Sequence, residues 1–253
     1  MDILAAGRLA RSVSFFAALC FGSMLSAQKT PVTVQIEVDG QRSDTSKHAS
    51  SDSDTPVNIV VWLSPLDHRT GFNANQLPGR KPQLIQRNKS FEPHVLVVEV
   101  GTVVDFPNRD PFFHNVFSLF NGKRFDLGLY EAGATNSTRF DRAGVSFLFC
   151  NIHPEMSAVI VAVDTPYYGM SDRSGRITIP KVPDGRYEMH AWSERALPED
   201  LQNLTRTVVI SDSGRVLPRI HLAENPNFTS AHKNKYGQDY VPAPTNGYSH
   251  PEM

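Results

Sequence analysis

The strongest constraint on this chain is a seven-residue segment, Cys-Asn-Ile-His-Pro-Glu-Met, at residues 150–156. It places a thiolate at Cys150, an imidazole at His153 and a thioether at Met156, at three-residue intervals. A second imidazole lies upstream at His114. Two imidazoles and one thiolate in a trigonal arrangement, with a weak axial thioether, form the ligand set of an electron-transfer copper site. A fold that uses this set must bring residue 114 against the 150–156 segment.

Short apolar segments around these residues are typical of β-strands. Residues 145–149 are expected to form a strand that ends at Cys150, and residues 158–163 form the next strand. Eighteen prolines and sixteen glycines interrupt the chain, and no segment sustains a helical period beyond the N-terminal one. The mature chain is therefore predicted to be all-β, with the candidate ligands on loops at one end of a β-sandwich.

The ligand spacing and its strand-loop-strand setting resemble those of the cupredoxins, the blue copper family of plastocyanin and amicyanin. The resemblance covers residues 84–165 and implies a cupredoxin Greek-key β-sandwich. By that resemblance His114, Cys150, His153 and Met156 are the four ligands of one type 1 copper per chain. Asn115 is then expected to tie the first-ligand loop to the loop after the cysteine, as residues around metal ligands commonly do.

Residues 166–222 resemble a second, transthyretin-like (carboxypeptidase-regulatory-like) β-sandwich. The resemblance rests on the strand, Pro-x-Gly turn and aromatic return strand at residues 175–192. The combination is similar to exported proteins of the methylamine-utilisation type. Residues 28–83 supply N-terminal strands and polar loops whose sandwich the sequence leaves open: residues 57–63 could extend the copper region, and residues 32–38 could pair with the second sandwich. Residues 223–253 are polar and predicted to be a disordered tail.

The N-terminal segment, residues 1–27, predicts export. Arg8 and Arg11 precede an apolar stretch at residues 12–25, and Ala27 offers a small residue for cleavage. The stretch is short for a membrane span, which needs roughly 20 apolar residues, so we expect no transmembrane span in the mature chain. Cys20 suggests a lipoprotein, but Leu19 stands where a small residue would be needed. Cleavage near Ala27 would leave Cys150 as the sole cysteine of a periplasmic or secreted protein, and metal ligation would account for a lone thiol there.

The remaining sequence features narrow the function. A formal net charge of −1 gives no basic surface for nucleic acid. There is no His-x-His pair to supply the trinuclear site of a multicopper oxidase. We therefore expect a non-enzymatic electron carrier whose partner is a redox protein, such as a quinoprotein dehydrogenase or a cytochrome c. The alternative is a structural or ligand-binding envelope protein whose copper site is vestigial or serves storage.

Overall fold

The computed structural model describes residues 30–39, 58–67, 81–119, 122–225, 227–229 and 232–240. The predicted signal peptide, most of the polar residues between positions 40 and 80 and the tail beyond residue 240 lie outside these ranges. Among the described residues no helix is long and apolar enough to cross a membrane.

The regular secondary structure of the described residues is almost entirely β-strand, which confirms the all-β prediction. One short helix, α1 (Pro198–Leu204), begins with proline at its first position, where a missing N–H costs nothing. The strands in chain order are β1 (Val32–Asp39), β2 (Val60–Pro65), β3 (Ile85–Arg87), β4 (Ser90–Glu92), β5 (Val95–Glu99), β6 (Thr102–Pro107), β7 (His114–Ser118), β8 (Phe125–Tyr130), β9 (Thr135–Phe140), β10 (Gly144–Phe149), β11 (Ser157–Val163), β12 (Tyr168–Met170), β13 (Arg176–Ile179), β14 (Gly185–Trp192), β15 (Arg206–Ile210) and β16 (Ile220–Ala223).

The first sandwich carries the candidate ligands. Its larger sheet has the strand order β5-β11-β10-β7-β8, and β6 pairs with β9 on the opposite side. The β3–β4 hairpin lies beside β6. Between the sheets lies a buried core that includes Phe106, Phe140 and Leu148, and also Cys150 and Met156. Two of the candidate ligands are thus part of the hydrophobic core.

The second sandwich packs the sheet β13-β1-β16 against the sheet β12-β2-β14-β15. In β14 the side chains of Tyr187, Met189 and Ala191 face its core, as the alternation in the sequence predicts. β1 pairs antiparallel with β13 and parallel with β16. β2 pairs with β12 and β14, so residues 60–65 belong to this sandwich and do not extend the copper region. The chain thus builds two strands of the second sandwich before it enters the first.

A third apolar cluster joins the two sandwiches. Val159, Val161 and Val163 of β11 point away from the core of the first sandwich and contact Val60 and Trp192 of the second sandwich. The alternate residues of the same strand face the core of the first sandwich. Because both faces of β11 are covered by protein, its sequence is continuously apolar and does not alternate with polar residues. The ligand-bearing sandwich therefore rests on the second one through its larger sheet.

Candidate metal centre

His114 occupies the first position of β7, a strand whose five residues are all buried. Its backbone pairs with Tyr130 of β8. The imidazole itself has 0% exposure. A histidine in a central strand of a buried sheet has little conformational freedom, so its ring is held in one place before any metal arrives.

Cys150 directly follows β10 and begins a closed loop. The N–H of Cys150 donates to the carbonyl of Met156 at 3.1 Å, and the N–H of Met156 donates to the carbonyl of His153 at 3.1 Å. These two bonds fold residues 150–156 into a compact turn that returns to β11. Cys150 and Met156 both have 0% exposure, and Cys150 is a free thiol.

The two imidazoles aim the same ring atom at the thiol. Cys150 Sγ lies 3.8 Å from His114 Nδ1 and 3.6 Å from His153 Nδ1. Donor atoms bound to one metal at about 2.0–2.3 Å, the usual lengths for imidazole and thiolate, lie roughly 3.5–3.8 Å apart in a trigonal arrangement. Within the described chain His114, Cys150 and His153 are the one such group, with ligand atoms within 4.8 Å of one another. The spacing fits a single ion.

The surroundings of this trio favour copper over zinc. Structural zinc sites complete their coordination with a fourth cysteine, histidine or carboxylate, and catalytic ones with water. Here the residue that closes the loop is Met156, buried in the same apolar cluster as Cys150. A long axial thioether beside two imidazoles and one thiolate is the arrangement that copper electron-transfer sites use.

His153 is placed differently from His114. It is half-buried, with exposed Ile152 and Pro154 on either side. The ring of Phe112 lies 5.2 Å from the His114 ring and 5.6 Å from the His153 ring, so it shields both. Phe113 points outward and is 51% exposed. Burial, together with the nearby His114 and Lys89, lowers the pKa of His153 against an opposing effect of Asp110. The neutral imidazole, the form that binds metal, is thereby favoured.

Asn115 was expected to tie the first-ligand loop to the loop after the cysteine, but it does not contact that loop directly. Its amide donates to Asp126 Oδ1 and to the Gly128 carbonyl, each at 2.8 Å, and so holds β8 directly, not the loop after the cysteine. Lys235 Nζ donates to the other oxygen of Asp126 at 2.9 Å. The backbone N–H of Lys235 donates to Asn151 Oδ1 at 3.0 Å. Asn115 is therefore linked to the ligand loop through two intermediaries, one of them in the C-terminal tail.

That tail is a part of the site that the sequence analysis missed. Residues 232–240 were predicted to be disordered, yet they pack across the 150–156 loop. Tyr240 Oη donates to the carbonyl of Cys150 at 2.6 Å, and the His232 ring stacks on Phe149 with centroids 4.2 Å apart. The signal in the sequence was the presence of aromatic residues in this polar tail, because disordered segments are typically poor in aromatic residues.

Asp110 is the second contact that the sequence analysis missed. Its Oδ2 lies 2.7 Å from His114 Nε2, and both side chains are buried. A carboxylate four residues before a candidate metal-ligating histidine was the available signal, because such histidines usually hydrogen-bond a carboxylate, a carbonyl or water through their other nitrogen.

Comparison with known proteins finds partial similarity to solved structures. No protein-family model matches the chain, and no curated protein is significantly similar to it. Among solved structures, a purple cupredoxin from Nitrosopumilus maritimus is 26% identical, with 32% of this chain and 99% of that one covered and a TM-score of 0.30. A reduced amicyanin variant is 24% identical, with 36% and 90% covered and a TM-score of 0.31. A copper-containing nitrite reductase from Thermus scotoductus SA-01 is 25% identical, with 35% of this chain but 24% of that one covered and a TM-score of 0.33. These matches leave most of the chain uncovered, so the assignment of the site rests on its own geometry.

Proposed function

We propose that this protein is an exported blue copper protein that carries single electrons by cycling one copper ion between Cu(II) and Cu(I). The observation that carries the proposal is the convergence of His114 Nδ1, His153 Nδ1 and Cys150 Sγ at distances of 3.6 and 3.8 Å from the sulfur. His114, Cys150, His153 and Met156 would hold the ion. Bound copper supplies a one-electron couple, and the protein supplies a ligand set that suits both oxidation states.

The shape of the site favours electron transfer over catalysis. A catalytic metal site keeps a coordination position open for water or substrate. Here His114, Cys150 and Met156 are each fully buried, and Phe112 packs over both imidazoles. Burial of three of the four proposed ligands disfavours the approach of a substrate to the ion, whereas electron transfer needs no such approach. We therefore propose a non-enzymatic carrier.

The partner would meet the protein at the edge of His153. Phe113 and Ile152 are 51% and 44% exposed, and Pro154 is exposed beside them. We name Phe113, Ile152 and Pro154 the outer patch. Electron-transfer encounters use small interfaces that release quickly, and a few apolar side chains around one imidazole suit them. The proposed partner is a redox protein such as a quinoprotein dehydrogenase or a cytochrome c.

The decisive experiment is copper loading of the purified mature chain. We expect one copper per chain, an intense blue absorption that disappears on reduction, and full recovery on reoxidation. The Cys150→Ser variant should lose the blue absorption entirely and keep its β-type circular dichroism, because the thiolate is responsible for the colour but contributes little to the volume of the core. A protein that binds copper without the blue band, or that cannot be cycled, would favour the storage or vestigial alternative. A Cys150→Ser variant that stayed blue would show that the ligands lie elsewhere.

A further inference from the structure

Asp110 gives His114 a charged partner on the side away from the proposed copper. The Asp110 Oδ2 to His114 Nε2 distance is 2.7 Å, and the side chains are 6% and 0% exposed. A buried carboxylate is costly unless its oxygens are well satisfied. Its presence beside one of the four proposed ligands therefore calls for a role.

The carboxylate is fixed from a distant part of the chain. The backbone N–H groups of Asn88 and Lys89 donate to its two oxygens at 2.6 and 2.9 Å. Both residues form the two-residue turn of the β3–β4 hairpin and have φ values of 53° and 55°. This left-handed pair is typical of a tight hairpin turn and points both N–H groups the same way. The hairpin tip thus acts as an anion clamp around Asp110.

The local chain holds Asp110 as well. Its own N–H donates to Asn108 Oδ1 at 3.0 Å, and the amide of Asn108 donates to the Phe112 carbonyl at 2.8 Å. Each carboxylate oxygen of Asp110 thus accepts one backbone N–H, and Oδ2 lies against His114 Nε2 in addition. The group is an anion that can only accept hydrogen bonds.

An acceptor at Nε2 settles which nitrogen of His114 carries the proton. Because a carboxylate cannot donate, Nε2 must be the N–H, and the lone pair of the neutral ring is then on Nδ1. Nδ1 is the atom that lies 3.8 Å from Cys150 Sγ. The same contact fixes the plane of the ring, because the bond is short and both partners are buried.

We propose that Asp110 is a positioning residue that presents His114 Nδ1 to the copper and lowers the reduction potential of the site. The inference rests on the proposed function. A buried negative charge one imidazole away stabilises Cu(II) more than Cu(I), because the oxidised ion carries the larger charge. It also makes the imidazole a stronger donor, as carboxylate partners of metal-bound histidines do.

The test compares Asp110→Asn with a control at an exposed aspartate far from the site. Asp172 also caps backbone N–H groups, those of Ser174 and Arg176 at 2.8 and 3.0 Å, but it lies in the second sandwich. We expect Asp110→Asn to weaken Cu(II) binding by about 10- to 100-fold in a competition titration, in line with other partners of metal ligands. Its reduction potential should rise, while Asp172→Asn changes neither quantity. Affinity and potential unchanged in a blue Asp110→Asn protein would overturn the inference.

A second measurement needs no variant and keeps the inference testable if Asp110→Asn does not fold. In the Cu(I) form of the unmodified protein, NMR should show a His114 Nε2–H that exchanges slowly with solvent, whereas the half-exposed His153 ring should exchange fast. A His114 ring protonated at Nδ1, or an unprotected Nε2–H, would overturn the role of Asp110. Failure of the copper proposal would look different, because the unmodified protein itself would then form no blue site.

Discussion

The two histidines of the candidate site are held in contrasting ways. His114 lies in a buried strand, and its Nε2 contacts Asp110. The tip of the β3–β4 hairpin in turn donates two backbone hydrogen bonds to Asp110. His153 lies on a seven-residue loop, is half-buried and stands among the exposed residues of the outer patch. The inner side thus offers rigidity and charge, and the outer side offers access. A carrier needs both, since a rigid site limits the rearrangement on changing oxidation state and an accessible edge shortens the route to a partner.

The largest expected difference is between the His114→Gly and His153→Gly variants, in how far added imidazole restores the blue absorption. Both variants lose a ligand, so both should lose the blue absorption of the unmodified protein. Added imidazole should restore it in His153→Gly, where the space left behind opens to solvent, but not in His114→Gly, where the space is enclosed. His114→Gly should also lower the free energy of unfolding by about 2–4 kcal/mol, because it leaves a cavity and deprives the Asp110 carboxylate of a partner.

Absorption spectra with and without imidazole, together with urea denaturation of the metal-free proteins, measure these effects. Equal rescue of the two variants would break the contrast, since it would mean that the inner histidine is as accessible as the outer one.

Met156 sharpens the inner half of the comparison. Met156→Leu should keep a blue site but raise its reduction potential, because loss of a weak donor disfavours Cu(II) more than Cu(I). The matched control is Met189→Leu, a methionine that is equally buried at 0% exposure but lies in the core of the second sandwich. Both substitutions conserve volume and should cost less than about 1.5 kcal/mol in stability. Voltammetry that finds no difference between the two variants would assign Met156 to packing alone.

The residues of the metal centre were more predictable than their supports. Cys150, His153 and Met156 are close in sequence, so their spacing alone indicates that they bind one metal ion. His114 was the one further ligand that the proposed site needed. Asp110 is clamped by amides of residues 88 and 89, and Tyr240 donates to the carbonyl of Cys150. Such contacts join segments far apart in the chain and leave no periodic signal in a single sequence.

Strand pairing was likewise harder to predict from the sequence than the pattern within a single strand. The alternation in β14 agrees with the burial of Tyr187, Met189 and Ala191 in the core of the second sandwich, although Trp192 on the other face is also buried, against the first sandwich. It could not indicate that β2 pairs with β14 or that the outer face of β11 packs on the second sandwich. Which strands pair depends on the register and the free energy of the competing arrangements, and an apolar strand can pair with several others.

The outer half of the comparison can be tested with a charge on the outer patch. Ile152→Glu should slow electron transfer to the physiological partner by about tenfold, equivalent to roughly 1.4 kcal/mol of lost encounter free energy. The colour and potential should change little, since Ile152 is 44% exposed and is not one of the proposed ligands. Val209→Glu is the control, because Val209 is 63% exposed on β15 of the second sandwich. Stopped-flow kinetics that slow equally in both variants would indicate that the partner does not select the His153 edge.

The smallest effect lies in the proton affinity of the outer histidine. In the metal-free protein the pKa of His153 should lie below its ordinary value of about 6.5, chiefly because the folded chain buries the ring beside His114 and Lys89. Between the lowered folded pKa and about 6.5 the unfolded chain binds more protons than the folded one, so stability should fall as the pH drops through that window and be insensitive to His153 above it.

His94 should show a pH dependence of the opposite sign, because its hydrogen bond to Glu194 raises its pKa and its contribution to stability is lost as the pH rises. NMR titration of the individual ring protons separates the two, whereas a global unfolding curve would sum them. A His153 that titrates at or above about 6.5 would contradict the prediction, because its ring would then be no less solvated than that of an ordinary surface histidine.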